Sequence, residues 1–458
     1  MRLSAATAAH LHLHLPPSAA RYGYNREAQR VGIVHFGIGA FHRAHQAWYT
    51  DLAMSAGERD WAICGVSLRS RDVAGQLVPQ DGLYTLVESS GAVRAVRLIG
   101  AVREVLHAGE DGAAIIARLA DPACHIVSFT VTEKGYARAP DGTLDPALAA
   151  SSFYPLLERG LAERMARGLP GVTLLSCDNL AGNGRVLGAL VRQWLAPRAP
   201  ALAEWFAQKC RTPSTMVDRI VPRSDPAALA MLGEELGLAD HGAVFTERFS
   251  QWVIEDDFAG PRPCWEAHGA QFVRDVAPYE IAKLRMLNGA HSLLAYAGLR
   301  AGHTYVHEAI ADPALRVLAE QLMRGEALPS VPAAAGLDLA AYADALLDRF
   351  TDPALRHRLD QIAMDGTQKI PQRWLDTALD RQRQGLDSPA IAAGLDAWLW
   401  HLEDGRYVDD PVGRELVAGA AHSGRKSLIM MCFDGSSERA PVWPGYGELA
   451  QMAAERCA

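Results

Sequence analysis

A short apolar strand, a glycine turn and a helix follow one another near the start of the chain, and this order most constrains the fold. Residues 31–36 predict the strand, Gly37-Ile-Gly39 the turn and residues 40–48 the helix. The first glycine permits a tight turn, and the second lets a pyrophosphate approach the backbone at the helix N-terminus. The order is typical of a dinucleotide-binding unit. His42 replaces the third glycine of that pattern, so a simple turn with His42 and Arg43 on the surface explains these residues as well.

A second strand is predicted over residues 61–68, and an acid near its end would bind the adenosine ribose of a dinucleotide. Asp72 is the candidate, although it lies farther along the chain than the usual ~20 residues after the glycine turn. Arg69 and Arg71 flank it and could accept a 2′-phosphate. These residues favour NAD and leave NADP open, and Asp72 serves equally well as the cap of a helix that begins at Val73.

Polar residues follow the ends of further predicted strands. Glu133 follows the strand at residues 125–132, and Asn179 follows the strand at residues 172–176. Because ligands of open α/β sheets bind beyond the carboxyl ends of the strands, both residues are candidates for a site. Glu133 could also be an ordinary loop residue. Asp218 lies beside an arginine in a proline-bounded extended segment, where a local ion pair would explain it equally.

The sequence pattern changes from strands to helices near residue 278. Apolar residues at i, i+3 and i+4 dominate from there on, and few strand signals remain. We therefore predict an α/β fold with a Rossmann-type NAD-binding domain over residues 1–277 and a mostly helical substrate domain over residues 278–458. Small-molecule sites usually lie in clefts between domains. The segment that begins at Lys283 stands at this junction.

Lys283, Asn288 and His291 interrupt an apolar stripe on a predicted α-helix. At about 100° per residue the three lie within roughly 140° of one another. Buried polar groups cost free energy unless they are paired or used in chemistry. The three could act as a base, a donor to a carbonyl or alkoxide, and an imidazole that orients a substrate. A half-exposed helix with three ordinary polar residues explains the spacing equally.

Composition excludes several functional classes. The net charge of −8 and the absence of a Lys/Arg-rich run argue against a nucleic-acid-binding protein. The seven cysteines are odd in number and form no CxxC pair, which favours a reducing compartment and argues against a disulfide framework or a zinc site, so we expect no metal. No apolar run approaches the ~20 residues of a membrane helix. We expect a cytoplasmic protein without a membrane partner.

Seven motifs in order resemble the polyol-specific long-chain dehydrogenases, the family of mannitol 2-dehydrogenase, arabinitol dehydrogenase and fructuronate reductase (D-mannonate oxidoreductase). The motifs are Gly37-Ile-Gly-Ala-Phe-His-Arg-Ala-His-Gln46, Gly65-Val-Ser-Leu-Arg-Ser70, Gln80-Asp-Gly-Leu-Tyr84, Thr130-Val-Thr-Glu-Lys-Gly-Tyr136, Ser176-Cys-Asp-Asn179, Pro213-Ser-Thr-Met-Val-Asp-Arg-Ile220, and Lys283, Asn288 and His291 at their spacing. The resemblance covers residues from about 30 to 420.

The resemblance implies a metal-independent hydride transfer between NAD and a secondary alcohol or ketone. Lys283 would be the general base or acid, Asn179 and Asn288 would bind the developing alkoxide, and His291 a neighbouring hydroxyl. Asp218 would contact the substrate, and Glu133 would lie on a water path to the lysine. The cofactor residues would be Gly37, Ile38, Gly39, Ala40, Phe41, His42, Arg43 and Asp72, and a histidine in place of the third glycine is normal in this family.

Substrate choice depends on the segment from Gln361 to Arg373. Mannitol enzymes are expected to have arginine where Gln361 stands, so the segment is more similar to fructuronate reductases. The carboxylate of a uronate needs a cation, which Lys369 or Arg373 could supply, although a lysine also binds a neutral polyol. We expect reduction of D-fructuronate to D-mannonate, with mannitol or arabinitol dehydrogenase as the alternative.

A non-catalytic nucleotide-binding protein would not need the lysine, asparagine and histidine set. Because the family is often monomeric, we expect a monomer.

Overall fold

The chain forms two compact units, Met1–Ala277 and Pro278–Ala458. The computed structural model describes residues 1–8, 19–91, 93–139, 141–406, 408–410 and 443–448. The first unit contains strands and helices, and the second is helical in its described residues.

The strands of the first unit are β1 (Ala20–Arg21), β2 (Val31–Phe36), β3 (Ala62–Ser67), β4 (Tyr84–Ser90), β5 (Val93–Ile99), β6 (Val102–His107), β7 (Ile126–Phe129), β8 (Thr173–Ser176), β9 (Thr215–Asp218), β10 (Val244–Glu247), β11 (Gln251–Glu255) and β12 (Gln271–Val273). Its α-helices are α1 (Ala5–Ala8), α2 (Ala40–Ala44), α3 (Gln46–Ser55), α4 (Asp72–Leu77), α5 (Gly112–Leu119), α6 (Pro146–Ala150), α7 (Tyr154–Ala166), α8 (Asn183–Leu195), α9 (Pro200–Lys209) and α10 (Pro226–Leu236). Short 3₁₀ helices lie at Val78–Gln80, Glu133–Tyr136 and Trp265–His268.

A parallel sheet with the strand order β6-β3-β2-β7-β8 forms the centre of the first unit. Strands β2, β3, β7 and β8 are buried along their whole length, as the near-continuous apolar runs of a parallel sheet covered on both faces predict. The strand order reverses between β2 and β7, which is the place where such sheets bind ligands. This arrangement confirms the predicted Rossmann-type fold.

The register of the sheet aligns the carboxyl ends of its strands. Phe36, the last residue of β2, pairs with Val66 on one side and with Phe129 on the other. Phe129 in turn pairs with Ser176, the last residue of β8. The loops that leave β2, β7 and β8 therefore begin at one edge of the sheet.

Two smaller sheets complete the first unit. The first has the order β1-β5-β4-β10, and the second has the order β12-β11-β9. Strand β9 pairs antiparallel with β11, so that Asp218 lies opposite Gln251.

The second unit is built from helices, three segments of which are π-helical. The α-helices from the boundary onward are α11 (Ala277–Ala282), α12 (Gly289–Ala301), α13 (Val306–Ala311), α14 (Pro313–Glu320), α15 (Leu339–Thr351), α16 (Leu359–Ile362), α17 (Gly366–Ile370), α18 (Asp376–Arg383) and α19 (Pro389–Asp404). The π-helical segments are Lys283–Asn288, Gln321–Ala327 and Pro371–Leu375, and a 3₁₀ turn lies at Leu328–Ser330. Buried side chains from α12, α13, α15, α19 and the π-helical segments share one core.

None of the helices in the described ranges combines the length and the apolar character that a membrane crossing requires.

Candidate functional site

The glycine turn at the end of β2 has a conformation that requires its first glycine. Gly37 has φ +96°, and a Cβ on this residue would lie 2.1 Å from the carbonyl oxygen of Thr130. The Gly37 N–H donates to the carbonyl of Val66 at 2.9 Å, and the hydroxyl of Thr130 donates to the carbonyl of Gly37 at 2.6 Å. The turn is thus fixed against the ends of both strands that flank β2.

Gly39 has a different role, because its conformation is open to any residue. Its φ of −83° is ordinary, and a Cβ there would meet nothing closer than the carbonyl oxygen of Gly37 at 3.8 Å. Helix α2 begins at the next residue, so the first N–H groups of the helix lie beside this open space. A diphosphate can approach the backbone here, and the turn therefore fits a dinucleotide.

A buried histidine supports the turn from within the sheet. His35, on β2, contacts the hydroxyl of Ser128 through Nδ1 and that of Thr130 through Nε2, both at 2.8 Å. The hydroxyl of Ser128 also lies 2.6 Å from the side-chain oxygen of Gln46. Burial lowers the pKa of His35 to about 3, so the imidazole is neutral. The hydrogen bonds connect the turn with β7 and with α3.

His42 and Arg43 are buried, so the interpretation that places them on the surface of the helix is wrong. The ring of His42 stacks on that of His35 with the ring centres 3.4 Å apart. Burial, with the nearby His35 and Arg43, holds the pKa of His42 well below its usual range. The guanidinium of Arg43 donates to the carbonyl of Gly242. Both side chains pack beneath the turn, which leaves its main chain as the surface that a ligand can contact.

Asp72 is exposed in the first turn of α4, beyond the end of β3. Its side chain does not cap the helix; the hydroxyl of Ser70 accepts the hydrogen bond from the Asp72 N–H at 3.0 Å. The alternative interpretation of Asp72 as a helix cap is therefore wrong. Arg71, one of the two arginines considered for a 2′-phosphate, forms an ion pair with Glu110.

Glu133 and Asn179 are exposed and follow β7 and β8 at the same edge of the sheet. Asp178, which precedes Asn179 in the chain, binds the loop after β7. It accepts hydrogen bonds from the N–H groups of Val131 at 2.9 Å and Thr132 at 3.0 Å. Burial raises the pKa of Asp178, and these bonds oppose the shift. Asp178 thereby fixes the segment that carries Glu133.

Asp218 is buried at the end of β9, outside the parallel sheet. The next residue, Arg219, forms an ion pair with Glu88 and lies 4.8 Å from the centre of the Trp48 ring. Arg219 also donates to the carbonyl of Ala44 at 2.5 Å. The arginine beside Asp218 therefore links β9 with β4 and with the end of α2.

Lys283 and Asn288 are the first and last residues of a π-helical segment, where the sequence predicts an α-helix. In a π-helix, hydrogen bonds join residues five apart, so residues i and i+5 lie about one turn apart on the same side. An α-helix would separate the two side chains by about 140° around the axis. Both residues are half-buried, and the segment also carries the buried Met286 and Leu287. The π-helix thus brings the two polar side chains onto one face.

His291 is buried in α12, one turn beyond this segment. Its ring lies 4.7 Å from that of Phe350 and meets the ring of His357 edge-on at 5.4 Å. Burial, followed by the charges of His357 and Arg349, holds the pKa of His291 well below its usual range. The imidazole is therefore neutral and can donate one hydrogen bond and accept another.

Lys369 and Arg373 differ in how they are held. The Lys369 ammonium donates to the carbonyl of Met364 at 2.5 Å and lies 4.0 Å from the carboxylate of Asp365. Arg373 donates through Nη1 to the hydroxyl of Ser292 at 2.8 Å and to the carbonyl of Asn288 at 3.4 Å. Burial lowers the pKa of Arg373 to about 10. Among the described residues, no carboxylate lies within 4.0 Å of this guanidinium.

Two family models match the chain one after the other. The mannitol dehydrogenase Rossmann domain matches residues 31–267, and the mannitol dehydrogenase C-terminal domain matches residues 275–428. The chain belongs to the mannitol dehydrogenase family.

Its relatives include a D-mannonate oxidoreductase and several mannitol 2-dehydrogenases. The chain is 41% identical to D-mannonate oxidoreductase of Escherichia coli, over 87% of this chain and 86% of that protein. It is 38% identical to mannitol 2-dehydrogenase of Phaeosphaeria nodorum, over 87% and 75%. Mannitol 2-dehydrogenase of Pseudomonas fluorescens, solved with NAD and D-mannitol, matches with a TM-score of 0.84 at 33% identity, over 100% and 96% of the two chains. The protein is therefore an oxidoreductase of this family, and the similar identities do not distinguish its substrate.

Sequence reasoning missed the residues that support this family's glycine turn. His35 and Thr130 lie inside or just after predicted strands, and Asp178 adjoins the candidate Asn179. A histidine within an apolar strand and a carboxylate directly after one are the signals that could have revealed them. Within the described ranges, no three His, Cys, Asp or Glu side chains are grouped as metal ligands.

Gly39→Ala should weaken dinucleotide binding without unfolding the protein. Its methyl group would occupy the open space before α2 while touching no atom of the turn closely. We expect at least a tenfold rise in the Kd for NADH, about 1.4 kcal/mol, with a Tm within about 2 °C of the wild type. Fluorescence titration and thermal unfolding measure the two quantities. The matched control is Gly23→Ala, whose Cβ would meet the carbonyl of Ser55 at the same 3.8 Å. An unchanged Kd in Gly39→Ala would place the dinucleotide elsewhere.

His42→Phe should make the protein less sensitive to acid. Neither ring nitrogen of His42 has a hydrogen-bond partner within the described structure, and the folded protein keeps the ring neutral. Because the pKa of His42 is lowered on folding, the unfolded chain binds an extra proton below pH about 6.5, and stability is full above that pH and lost below it. Between pH 7.5 and 5.5 the wild type should lose about 1.4 kcal/mol more than the variant.

Urea unfolding at the two pH values measures this difference. The control is His241→Phe, since that histidine is exposed. Equal acid sensitivity in the wild type and in His42→Phe would show that folding does not lower the pKa of His42.

Proposed function

We propose that the protein is an NAD-dependent reductase of a sugar ketone, and that its substrate is D-fructuronate, which is reduced to D-mannonate. In this reaction a ketone, NADH and one proton give a secondary alcohol and NAD. The observation that carries the uronate assignment is Arg373, a half-buried arginine whose guanidinium is held through one nitrogen, with no carboxylate beside it in the described part of the chain.

The glycine turn supports NAD as the cofactor. The open backbone at Gly39 fits the diphosphate, and the exposed Asp72 beyond β3 is a carboxylate for the adenosine ribose. The solved Pseudomonas fluorescens relative contains NAD, and this supports the same cofactor here. When bound, the dinucleotide supplies the hydride that converts the ketone carbon to an alcohol carbon.

Lys283 is proposed as the group that moves the proton. In the reductive direction its ammonium gives a proton to the carbonyl oxygen as the carbon gains hydride, and in the oxidative direction the neutral amine removes the hydroxyl proton. The amide of Asn288, on the same face of the π-helix, donates to the oxygen as negative charge develops there. Asn179 is proposed as the second donor. These donors lower the barrier because the oxygen carries more negative charge in the transition state than in the bound ketone.

The other candidate residues are proposed to bind the substrate or to exchange protons. His291, neutral and able both to donate and to accept, suits a hydroxyl group next to the reacting carbon. Asp218 is proposed to accept from a hydroxyl of the substrate chain. Glu133 is exposed and is proposed to exchange protons between solvent and the lysine.

Arg373 is a better carboxylate partner than Lys369. The Lys369 ammonium already donates to the carbonyl of Met364 and lies near Asp365. Arg373 hydrogen-bonds through Nη1 to described residues, so Nε and Nη2 can face a ligand carboxylate as a planar pair. A hydrogen bond to a charged group contributes about 1.5–3 kcal/mol, enough to favour a uronate over a neutral sugar.

Mannitol 2-dehydrogenase is the second candidate. The relatives that bear this name are nearly as similar as D-mannonate oxidoreductase, and Lys369 in its observed setting would also bind a neutral hydroxyl. Arabinitol dehydrogenase would use the same residues. The difference between these activities is in the substrate and not in the mechanism.

The purified protein should oxidise NADH faster with D-fructuronate than with D-fructose at equal concentrations. We expect at least a tenfold difference in kcat/KM, because the carboxylate gains a charged partner. Absorbance at the NADH band measures both rates. Lys283→Ala should lose turnover of either substrate while keeping its Kd for NADH. A preference for fructose would instead support the mannitol assignment and overturn the interpretation of Gln361.

Arg373→Gln should lower kcat/KM for fructuronate about 10- to 100-fold more than for fructose. Glutamine keeps a donor for the Asn288 carbonyl and loses the charge, and the ratio of the two substrates removes any effect that both share. The matched control is Lys369→Gln. If Lys369→Gln changes the ratio and Arg373→Gln does not, the lysine is the carboxylate partner.

A further inference from the structure

Two successive carbonyl groups accept side-chain hydrogen bonds where the π-helical segment Lys283–Asn288 passes into α12. The indole N–H of Trp374 donates to the carbonyl of Gly289 at 3.0 Å. The guanidinium of Arg373 approaches the carbonyl of Asn288 at 3.4 Å. Both donors belong to a second π-helical segment, Pro371–Leu375. Side chains inserted among the backbone hydrogen bonds are a known cause of departures from regular α-helix.

The two π-helical segments also approach each other closely at the backbone. A Cβ at Gly289 would lie 3.3 Å from the carbonyl oxygen of Arg373 and 3.6 Å from Cδ1 of Trp374. A methyl group would therefore crowd the carbonyl of Arg373, whereas its contact with the indole would be an ordinary one. Trp374 is fully buried, and its far edge packs 3.0 Å from the place that a Cβ on Gly394 would occupy. The indole has little freedom to leave this carbonyl.

The π-helix decides whether Lys283 and Asn288 share a face. Residues five apart lie about one turn apart in a π-helix and about 140° apart in an α-helix. A change from π- to α-helix in this segment would thus turn the lysine away from the asparagine. Since π-helices are rare and of limited stability, an interaction that favours this form determines the relative position of the two side chains.

We propose that Trp374 is a positioning residue, which holds the segment Lys283–Asn288 in its π-helical form by binding the carbonyl of Gly289, so that Lys283 and Asn288 act on the same atom of a substrate. Arg373 assists through the neighbouring carbonyl and through Ser292. The inference rests on the proposed role of Lys283 as the group that moves the proton. In this proposal Trp374 touches neither substrate nor cofactor, and it acts through the backbone of the helix that carries Lys283 and Asn288.

Trp374→Phe tests this proposal, because it keeps an aromatic ring and removes the donor. The control is Trp265→Phe, since Trp265 is also fully buried and donates one indole hydrogen bond, to Thr50 at 3.1 Å. We expect kcat to fall at least tenfold in Trp374→Phe, with KM and the Kd for NADH within about twofold of wild type, and the pH profile of kcat to move. Trp265→Phe should keep both kcat and the profile. A loss shared equally by the two variants, or no loss in Trp374→Phe, overturns the proposal.

A second measurement does not depend on the substrate. The chain contains five lysines, Lys134, Lys209, Lys283, Lys369 and Lys426, so ¹³C reductive methylation gives a small set of resonances, and Lys283→Arg assigns the one of interest. This resonance should move in Trp374→Phe and stay in Trp265→Phe. If it stays in Trp374→Phe, the indole does not position Lys283. Full activity of Lys283→Ala would refute the proposed function, and the resonance would still decide whether Trp374 positions the segment.

Ser292→Ala provides a variant with a smaller change, should Trp374→Phe fail to fold. It removes the hydroxyl that holds Arg373 at 2.8 Å, and Ser292 itself lies within α12. The expected result is a smaller fall in kcat, in the same direction and with an unchanged Kd for NADH. Wild-type kcat together with an unmoved Lys283 resonance in this variant would overturn the assisting role of Arg373.

Discussion

Parallel pairing of β2 with both β3 and β7 is the constraint on which the first unit depends. It aligns the ends of the strands, so that the chain must leave β2 directly against the backbone of Thr130. Only glycine fits at position 37 in that place, with its φ of +96°. The same alignment brings the loops that carry Glu133 and Asn179 to one edge of the sheet. A site for a dinucleotide thus follows from backbone pairing before any side chain is considered.

The polar side chains beneath this turn, His35, His42 and Arg43, are all buried. His35 is neutral because it is buried, and its contacts with two hydroxyls compensate for the loss of water. His42 obtains its stabilisation from ring stacking instead. Such an arrangement fixes the shape of the turn and leaves both imidazoles uncharged. The main-chain N–H groups at the start of α2 can attract a diphosphate.

In the second unit, helix geometry arranges the candidate residues. Its π-helical segment places Lys283 and Asn288 on one face, and donors from Trp374 and Arg373 bind the carbonyls that follow. Arg373 thereby has two tasks in our proposals, since one nitrogen contacts the helix and the others face a ligand. A rigid cation suits both tasks better than a flexible lysine. In our proposal, the contacts of Trp374 and Arg373 with these carbonyls help to position the candidate base.

The sequence by itself determined the fold class, the family and the position of the glycine turn, because apolar periodicity, a GxG pattern and ordered motifs are local properties of the chain. It could not show that His42 and Arg43 point inward or that Ser70, rather than Asp72, binds the first N–H of α4. Neither could it show the π-helix at Lys283. These features depend on which distant groups meet the backbone, such as Trp374 at Gly289 and Thr130 at Gly37. Tertiary packing decided them, since a helical wheel assumes a regular α-helix and contains no information about contacts between segments.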